Sequence, residues 1–325
     1  MKKVLLGIFL GIVLSHGLVA QQISQRTQFY VNRFAVNPAV AGSEQEIPIL
    51  LNVRRQWLGI NEAPVTQTFS AHGFTGKSMG LGLIVYNDIA GPSRNTGFTF
   101  SAARHFQLQE RSNNWFSFGM SLNLYQYTFD AAKLQTDIPD DPAVVNMLNE
   151  TSRLSPDITA GVYASGDDWF AGASAAFLVQ NGSNIFDIDF NPNALRRTYY
   201  VMGGYKFRGS TEFALEPSFL VKATEAAPIQ ADLVVKGYYN QSWVGLAYRT
   251  GDAVAGMLGF RFDIIAFAYS YDLIMSEVNE FSTGTHEFTL GFYLYDPESR
   301  NGPVKREKKR PKFNYKKNGI KKRKG

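Results

Sequence analysis

Few residues of this 325-residue chain are of types that do bond-making chemistry. It contains no cysteine and four histidines, and only His72, His105 and His286 lie beyond the first twenty residues. Without cysteine there is neither a disulfide framework nor a thiolate metal site. No G-x-S-x-G turn occurs, and His286-Glu287 begins but does not complete an H-E-x-x-H pair. In an extended segment those two side chains point to opposite faces and cannot converge on one substrate. A serine and histidine pair of the outer-membrane phospholipase kind is the remaining hydrolytic option. Gly80-Leu81-Gly82 reads as a packing feature of a strand, not a phosphate cradle. The acids Asp137, Asp140, Asp141 and Glu150 share one segment, but their spacing lacks the D-x-D-x-D-G order of a calcium loop, so it reads as solvated. No catalytic residue, metal site or cofactor is expected.

The elements that would position side chains are strands. Alternation is clearest from Trp115 to Tyr127, where Phe116, Phe118, Met120, Leu122 and Leu124 interleave with Ser117, Gly119, Ser121 and Asn123. The two-residue period returns in Phe213, Leu215, Pro217, Phe219 and Val221, and again in Phe288, Leu290, Phe292 and Leu294. Each segment is about 10 residues, the length a tilted strand needs to cross the hydrocarbon layer of a membrane. Fourteen such strands are expected, near 48–57, 65–74, 79–88, 96–106, 115–129, 156–165, 168–179, 196–207, 211–222, 228–239, 242–250, 254–262, 265–275 and 285–295. Asp263 and Ile264 are the weakest boundary, since no Gly, Pro or Asn marks a turn there. The 25 Phe, 16 Tyr and 29 Gly suit short strands with aromatic girdles and tight turns.

Lys2 and Lys3, the apolar run Val4–Leu14 and Ala20 before Gln21-Gln22 form the layout of a secretory signal. The run is too short to span a bilayer as a helix. The expected organisation is a signal at 1–20, an N-terminal periplasmic or plug segment at 21–47, an antiparallel transmembrane β-barrel at 48–295, and a basic periplasmic tail at 296–325. Alternate linkers are mostly longer (58–64, 89–95, 130–155, 180–195 and, after two shorter ones, 276–284), and outer-membrane barrels keep short turns on the periplasmic side. Both termini are therefore expected in the periplasm. The polar positions Glu212, Glu216, Lys222, Asp232, Lys236, Arg261, Asp272 and Glu287 fall on the inward phase, bounding a water channel or interlocking with a plug.

Charge is divided along the chain. Residues 303–325 carry 12 Lys and Arg against one acid, whereas residues 21–302 hold 19 Lys and Arg against 27 Asp and Glu. Export removes nucleic acid as a partner for the tail. Lys308, Lys309, Arg310, Lys316, Lys317, Lys322 and Arg323 are its candidate contacts with an acidic periplasmic partner or anionic lipid.

Several short runs stand in order along the chain: Asn37-Pro38-Ala39-Val40-Ala41-Gly42, Arg55-Gln56-Trp57, Pro64, Glu216-Pro217-Ser218 with Lys222, Trp243-Val244-Gly245, Tyr271-Asp272 and His286-Glu287. Together they resemble the PorP/SprF family of Bacteroidetes type IX secretion outer-membrane proteins. The resemblance covers nearly all of the chain beyond the signal, and the order of the runs carries it. It implies a non-enzymatic barrel in the outer-membrane lipid. Such a barrel would work with periplasmic and outer-membrane secretion components to secrete, and attach at the surface, cargo proteins with C-terminal sorting domains, including gliding adhesins. Two other classes stay open: a porin or channel for small hydrophobic molecules, and a structural anchor to periplasmic machinery.

Overall fold

The computed structural model describes residues 27–108, 113–130, 152–179, 196–209, 212–225 and 227–295. They form one closed antiparallel β-barrel. The strands are β1 (Glu46–Arg55), β2 (Val65–Phe74), β3 (Met79–Ala90), β4 (Ser93–Gln107), β5 (Trp115–Phe129), β6 (Ser152–Ser165) and β7 (Trp169–Ala176). They continue with β8 (Thr198–Tyr205), β9 (Phe207–Arg208), β10 (Phe213–Thr224), β11 (Gln230–Tyr239), β12 (Ser242–Arg249), β13 (Ala253–Phe262), β14 (Ile265–Ile274) and β15 (Thr285–Tyr295). The wall closes where β1 pairs with β15, from Glu46 opposite Tyr295 to Arg55 opposite His286.

Segments β8 and β9 share one place in the wall, which gives fourteen strands as the alternation predicts. Their separation has a chemical cause. Ser218 opposes Gly204 and Leu215 opposes Phe207 in a single register, so no residue is inserted. Pro217, between them, lacks the N–H that would continue the ladder toward Tyr205.

Outward residues are large and apolar, and inward ones are small or polar. On β5, Phe118, Met120 and Leu122 are about half exposed while Ser117, Ser121 and Asn123 are buried. That pattern inverts the rule for soluble proteins and suits a wall with lipid outside. Among the described residues no helix is long and apolar enough to cross a membrane.

Two details differ from the sequence expectation. The predicted linker 89–95 is mostly strand: β3 and β4 extend to Ala90 and from Ser93, leaving Gly91 and Pro92 as the turn. Ladder bonding continues up to that turn, and Gly91 supplies its positive φ of 56°. Glu212, expected to face inward, lies before β10 begins and is exposed. The weak boundary at Asp263 is nonetheless a two-residue turn, with Asp263 at φ 51°, a conformation aspartate tolerates better than most residues.

Candidate functional site: a filled lumen with a polar vestibule

The lumen holds the chain's own N-terminal segment. Short 3₁₀ turns at Thr27–Tyr30, Arg33–Ala35 and Pro38–Val40 carry the backbone across the barrel interior before β1 begins. Phe29, Phe34, Asn37, Ala39, Val40 and Ala41 are all at most 2% exposed. The side chains of this stretch follow no two- or 3.6-residue period, because each meets a different part of the surrounding wall.

The contacts form a circuit. The Gln28 amide donates to the Glu287 backbone carbonyl (2.8 Å) and to Ser270 Oγ (3.3 Å), and its carbonyl accepts from Thr289 Oγ (2.6 Å). Tyr30 meets Trp243 edge-on at 5.6 Å between centroids. Burial first, then the Glu287 and Asp272 carboxylates, raise the Tyr30 phenol well above its ordinary pKa, so it stays neutral. Arg33 reaches Glu216 (3.1 Å) and lies 3.7 Å above the Phe170 ring. Glu216 also takes Lys236 (2.9 Å) and the Tyr238 hydroxyl (3.1 Å), so the cation from the segment enters an existing ion pair.

Asn37 anchors the far side. Its carbonyl accepts from Ala39 N–H (2.9 Å), and its amide donates to the Val162 (2.9 Å) and Ala173 (3.3 Å) carbonyls of the wall. Pro38 follows at the first turn position, where a missing N–H costs nothing. Gly42 has φ 72°, and a Cβ there would sit 2.6 Å from Gly80 Cα.

Inward glycines make the room. A Cβ on Gly80 would lie 2.0 Å from the Ala41 carbonyl oxygen, one on Gly119 would lie 2.4 Å from Ala39 N, and one on Gly161 would lie 2.2 Å from Asn37 Oδ1. Gly82 admits the Phe34 ring in the same way. The Gly80-Leu81-Gly82 packing feature is thus a seat for the segment.

Histidines fasten its exit. His105 Nε2 bonds the Ala41 carbonyl (2.9 Å), so it must be the donor, which leaves Nδ1 to accept from Ser117 Oγ (2.7 Å). His72 Nδ1 accepts from Gly42 N–H (3.2 Å). The Ser117–His105 pair has the spacing of a hydrolytic couple, but both residues are 1% exposed and the second imidazole nitrogen is committed to Ala41. It is a structural pair. His286 faces outward and bonds the Tyr269 hydroxyl (2.8 Å), while Glu287 faces inward, as their alternation requires.

A buried ionic belt joins the wall toward the rim opposite the Glu46 and Tyr295 ends. Arg54 reaches Glu287 (2.9 Å) and Asp272 (3.1 Å), and Arg249 reaches Asp232 (2.9 Å), Asp252 (3.1 Å) and Asp272 (3.6 Å). Arg54 is the arginine that enters the lumen, whereas Arg55 of the family-like run is exposed. Gln56 is buried and donates from its N–H to the Pro64 carbonyl (2.9 Å), and Trp57 N–H donates to Thr285 Oγ (3.2 Å), which ties the β1–β2 connection to β15. Ser218 is buried beside Pro217, and the Tyr271 ring lies 4.9 Å from that of His286, tilted by 52°. Arg261 is half-buried at the near rim and holds Glu46 through two 2.7 Å bonds.

Above Phe34–Pro38 the lumen continues as a cavity of 140 Å³, its lining including Asp88, Asn95, Asn123, Tyr125, Lys222 and Asp232. Among the described residues no three metal-ligating side chains converge. The acidic segment 130–155, apart from its ends, and the tail residues Lys308 to Arg323 lie outside the described residues.

A closed strand wall with an apolar exterior and a lumen filled by its own chain defines a plugged transmembrane β-barrel of the outer-membrane class. The chain belongs to the type IX secretion system membrane protein PorP/SprF family, whose model matches residues 18–292. No curated protein matches the chain in sequence. Among solved structures it is similar to the CymD monoaromatic hydrocarbon channel (10% identity, TM-score 0.51, 86% of this chain and 95% of that one). It also resembles a Pseudomonas aeruginosa FadL homologue (11%, 0.48, 85% and 95%) and the Acinetobacter baumannii outer membrane protein Omp33 (8%, 0.46, 78% and 100%). At these identities the CymD likeness speaks to fold alone.

Proposed function

We propose that this barrel supports the secretion and surface attachment of particular cargo proteins by the type IX system, including adhesins of the gliding type, and is not a diffusion channel. Family membership supports the first part. The observation that carries the second is the seating of residues 28–42 in the lumen, fixed by Arg33 on Glu216, Asn37 on the β6 and β7 carbonyls, and Ala41 on His105. A general porin needs that space open. A channel for small hydrophobic molecules needs an apolar lumen, whereas this one is crossed by the Arg54–Asp272–Arg249 belt.

In this reading the Glu46 and Tyr295 ends of the wall face the periplasm. Turns at that rim are short at 166–168, 240–241 and 263–264, and the opposite rim carries the long connections 130–151 and 177–197. The basic tail then extends into the periplasm as a tether to an acidic secretion component, with cargo sorting domains engaged from the same system. Deleting the gene should leave a defined cargo protein unsecreted or unattached while small-solute permeability of the outer membrane hardly changes. Normal surface proteins with slowed solute uptake would overturn the proposal in favour of a porin.

A further inference from the structure

A cation stands on the lipid-facing side of the wall where β14, β15, β1 and β2 adjoin. Apart from tyrosines, the only ionisable side chains on the outward positions of these four strands are Arg55 and His286. The two are direct partners across the β1–β15 pairing, and Tyr271 is next in line on β14. Arg55 is exposed, and no group among the described residues bonds or pairs with its side chain. The carboxylates of Asp272 and Glu287 alternate into the lumen, where Arg54 holds both. Exposed Glu62, Glu277 and Glu280 lie on connections beyond the strand ends.

Height gives this cation a meaning. Ile47 opens the outward apolar run of β1, just after the polar Gln45 and Glu46, and Arg55 ends the strand. At about 3.4 Å per residue and a tilt of about 40°, the two are about 20 Å apart along the membrane normal, close to the roughly 25 Å apolar band of such barrels. Below Arg55 lie Leu51 and Val53, both nearly half exposed, and beside it stand Tyr269 and Tyr271, the residue type that marks a membrane–water interface. Arg55 therefore sits at the edge of the hydrocarbon, where headgroups begin.

We infer that Arg55, with His286 beside it, binds the phosphate of a lipid A-type glycolipid in the external leaflet of the outer membrane. The leaflet rests on the orientation proposed above, with the Glu46 end of the wall in the periplasm. A guanidinium presents a planar fork of N–H donors that matches a phosphate through two bonds. When the Tyr269 hydroxyl, 2.8 Å from His286 Nδ1, donates to that nitrogen, Nε2 keeps the ring proton as a further donor. The acyl chains of the same lipid run down over Val53, Leu51 and Phe288, which are exposed on the apolar face directly below. A cation at headgroup level above apolar residues at chain level matches an amphiphile, whereas a free phosphate would use only half of the surface.

The test is native mass spectrometry of the full chain in a neutral detergent, titrated with bisphosphorylated lipid A, dephosphorylated lipid A, phosphatidylglycerol and inorganic phosphate. Bisphosphorylated lipid A should bind, with affinity about tenfold weaker in Arg55→Gln, the equivalent of one lost charge-assisted hydrogen bond. His286→Phe should weaken it as well. Arg104→Gln should not, because Arg104 is an exposed arginine of β4 at the opposite rim that already donates to the Lys77 carbonyl (3.0 Å). Heat-modifiable gel migration confirms that each variant is folded. Equal affinity in the Arg55 and Arg104 variants, equal binding of dephosphorylated lipid A or phosphatidylglycerol, or displacement by inorganic phosphate would each overturn the inference. Orientation is read separately: Phe281, 73% exposed on the β14–β15 connection of a chain without cysteine, is replaced in Phe281→Cys. A polymer-linked maleimide too large to cross the outer membrane should label it on intact cells. No labelling would overturn the orientation and the leaflet together, whereas labelling without Arg55-dependent lipid A binding overturns this inference alone.

Discussion

Gly119→Ala tests whether the lumenal segment is seated by the wall. The new Cβ would lie 2.4 Å from Ala39 N and 2.5 Å from both Ala39 Cα and the Pro38 carbonyl carbon, all backbone atoms of a tight turn. Comfortable carbon contacts are about 3.5–4.0 Å, so the segment must retreat by about 1 Å or more. Retreat strains the Asn37 bonds to Val162 and Ala173, and overpacking of this kind costs about 1–3 kcal/mol. A cost near 3 kcal/mol raises the displaced population about a hundredfold. The wall should be untouched, since Phe118 and Met120 still face lipid on either side of the substitution. In planar bilayers the variant should show larger or more frequent conductance steps than the parent, and the segment near Pro38 should be cut faster by protease. Gly256→Ala is the matched control: it is also a mid-strand glycine, on β13, but nothing lies within 4 Å of its added Cβ. Parental conductance and protease resistance in Gly119→Ala, or equal changes in both variants, would refute the reasoning.

Leu122→Arg should lower the folding yield into bilayers, because a lipid-facing arginine at mid-strand costs about 2–4 kcal/mol; Asn123→Arg, pointing into the lumen, should fold better, and equal yields would contradict the assigned faces. Arg54→Leu leaves the Glu287 and Asp272 carboxylates, each 2% exposed, without their shared cation, and should cost about 3–5 kcal/mol in denaturant titration. A loss below about 1 kcal/mol would mean that the belt is not desolvated as the structure has it. Truncation after Pro297 should leave barrel assembly intact while lowering the recovery of an acidic periplasmic partner and removing its salt sensitivity; unchanged recovery would sink the tether.

The wall was legible because one physical rule, apolar toward lipid and polar or small toward the lumen, repeats every second residue along every strand. Strands β2, β5 and β15 run over 65–74, 115–129 and 285–295, as the alternation predicts. Inward charges at Glu216, Lys236, Asp272 and Glu287 were read from the same phase. Errors arose where that rule stops. Glu212 lies one residue before β10, where phase no longer determines direction, and the 89–95 linker was misread because Ser93, Arg94 and Asn95 beside Gly91-Pro92 look like loop residues although Ser93 to Asn95 pair as strand with Asp88 to Ala90. The family-like run drew attention to Arg55, but the phase set by outward Val53 places Arg54 inside. No periodic rule governs residues 27–43, whose irregular turns are shaped by the wall they touch, so sequence left them between plug and periplasm.

A signal for the plug does exist, but it is written in the wall and not in the segment. Gly80, Gly82, Gly119, Gly161 and Gly172 all fall on the inward phase, and each would place a Cβ within 3 Å of the N-terminal segment. Glycine inside a strand is unfavourable on its own account, since it adds backbone entropy to lose and contributes no side chain to pack. A water-filled channel would give no reason to bear that cost at five inward sites, because any small polar residue would be solvated there. Missing side chains on one stretch of the lumenal face therefore imply another part of the protein pressed against it, and His72, His105 and Glu216, which bind that part, also point into the lumen. Inward glycine clustered on neighbouring strands is a sequence criterion for a filled barrel.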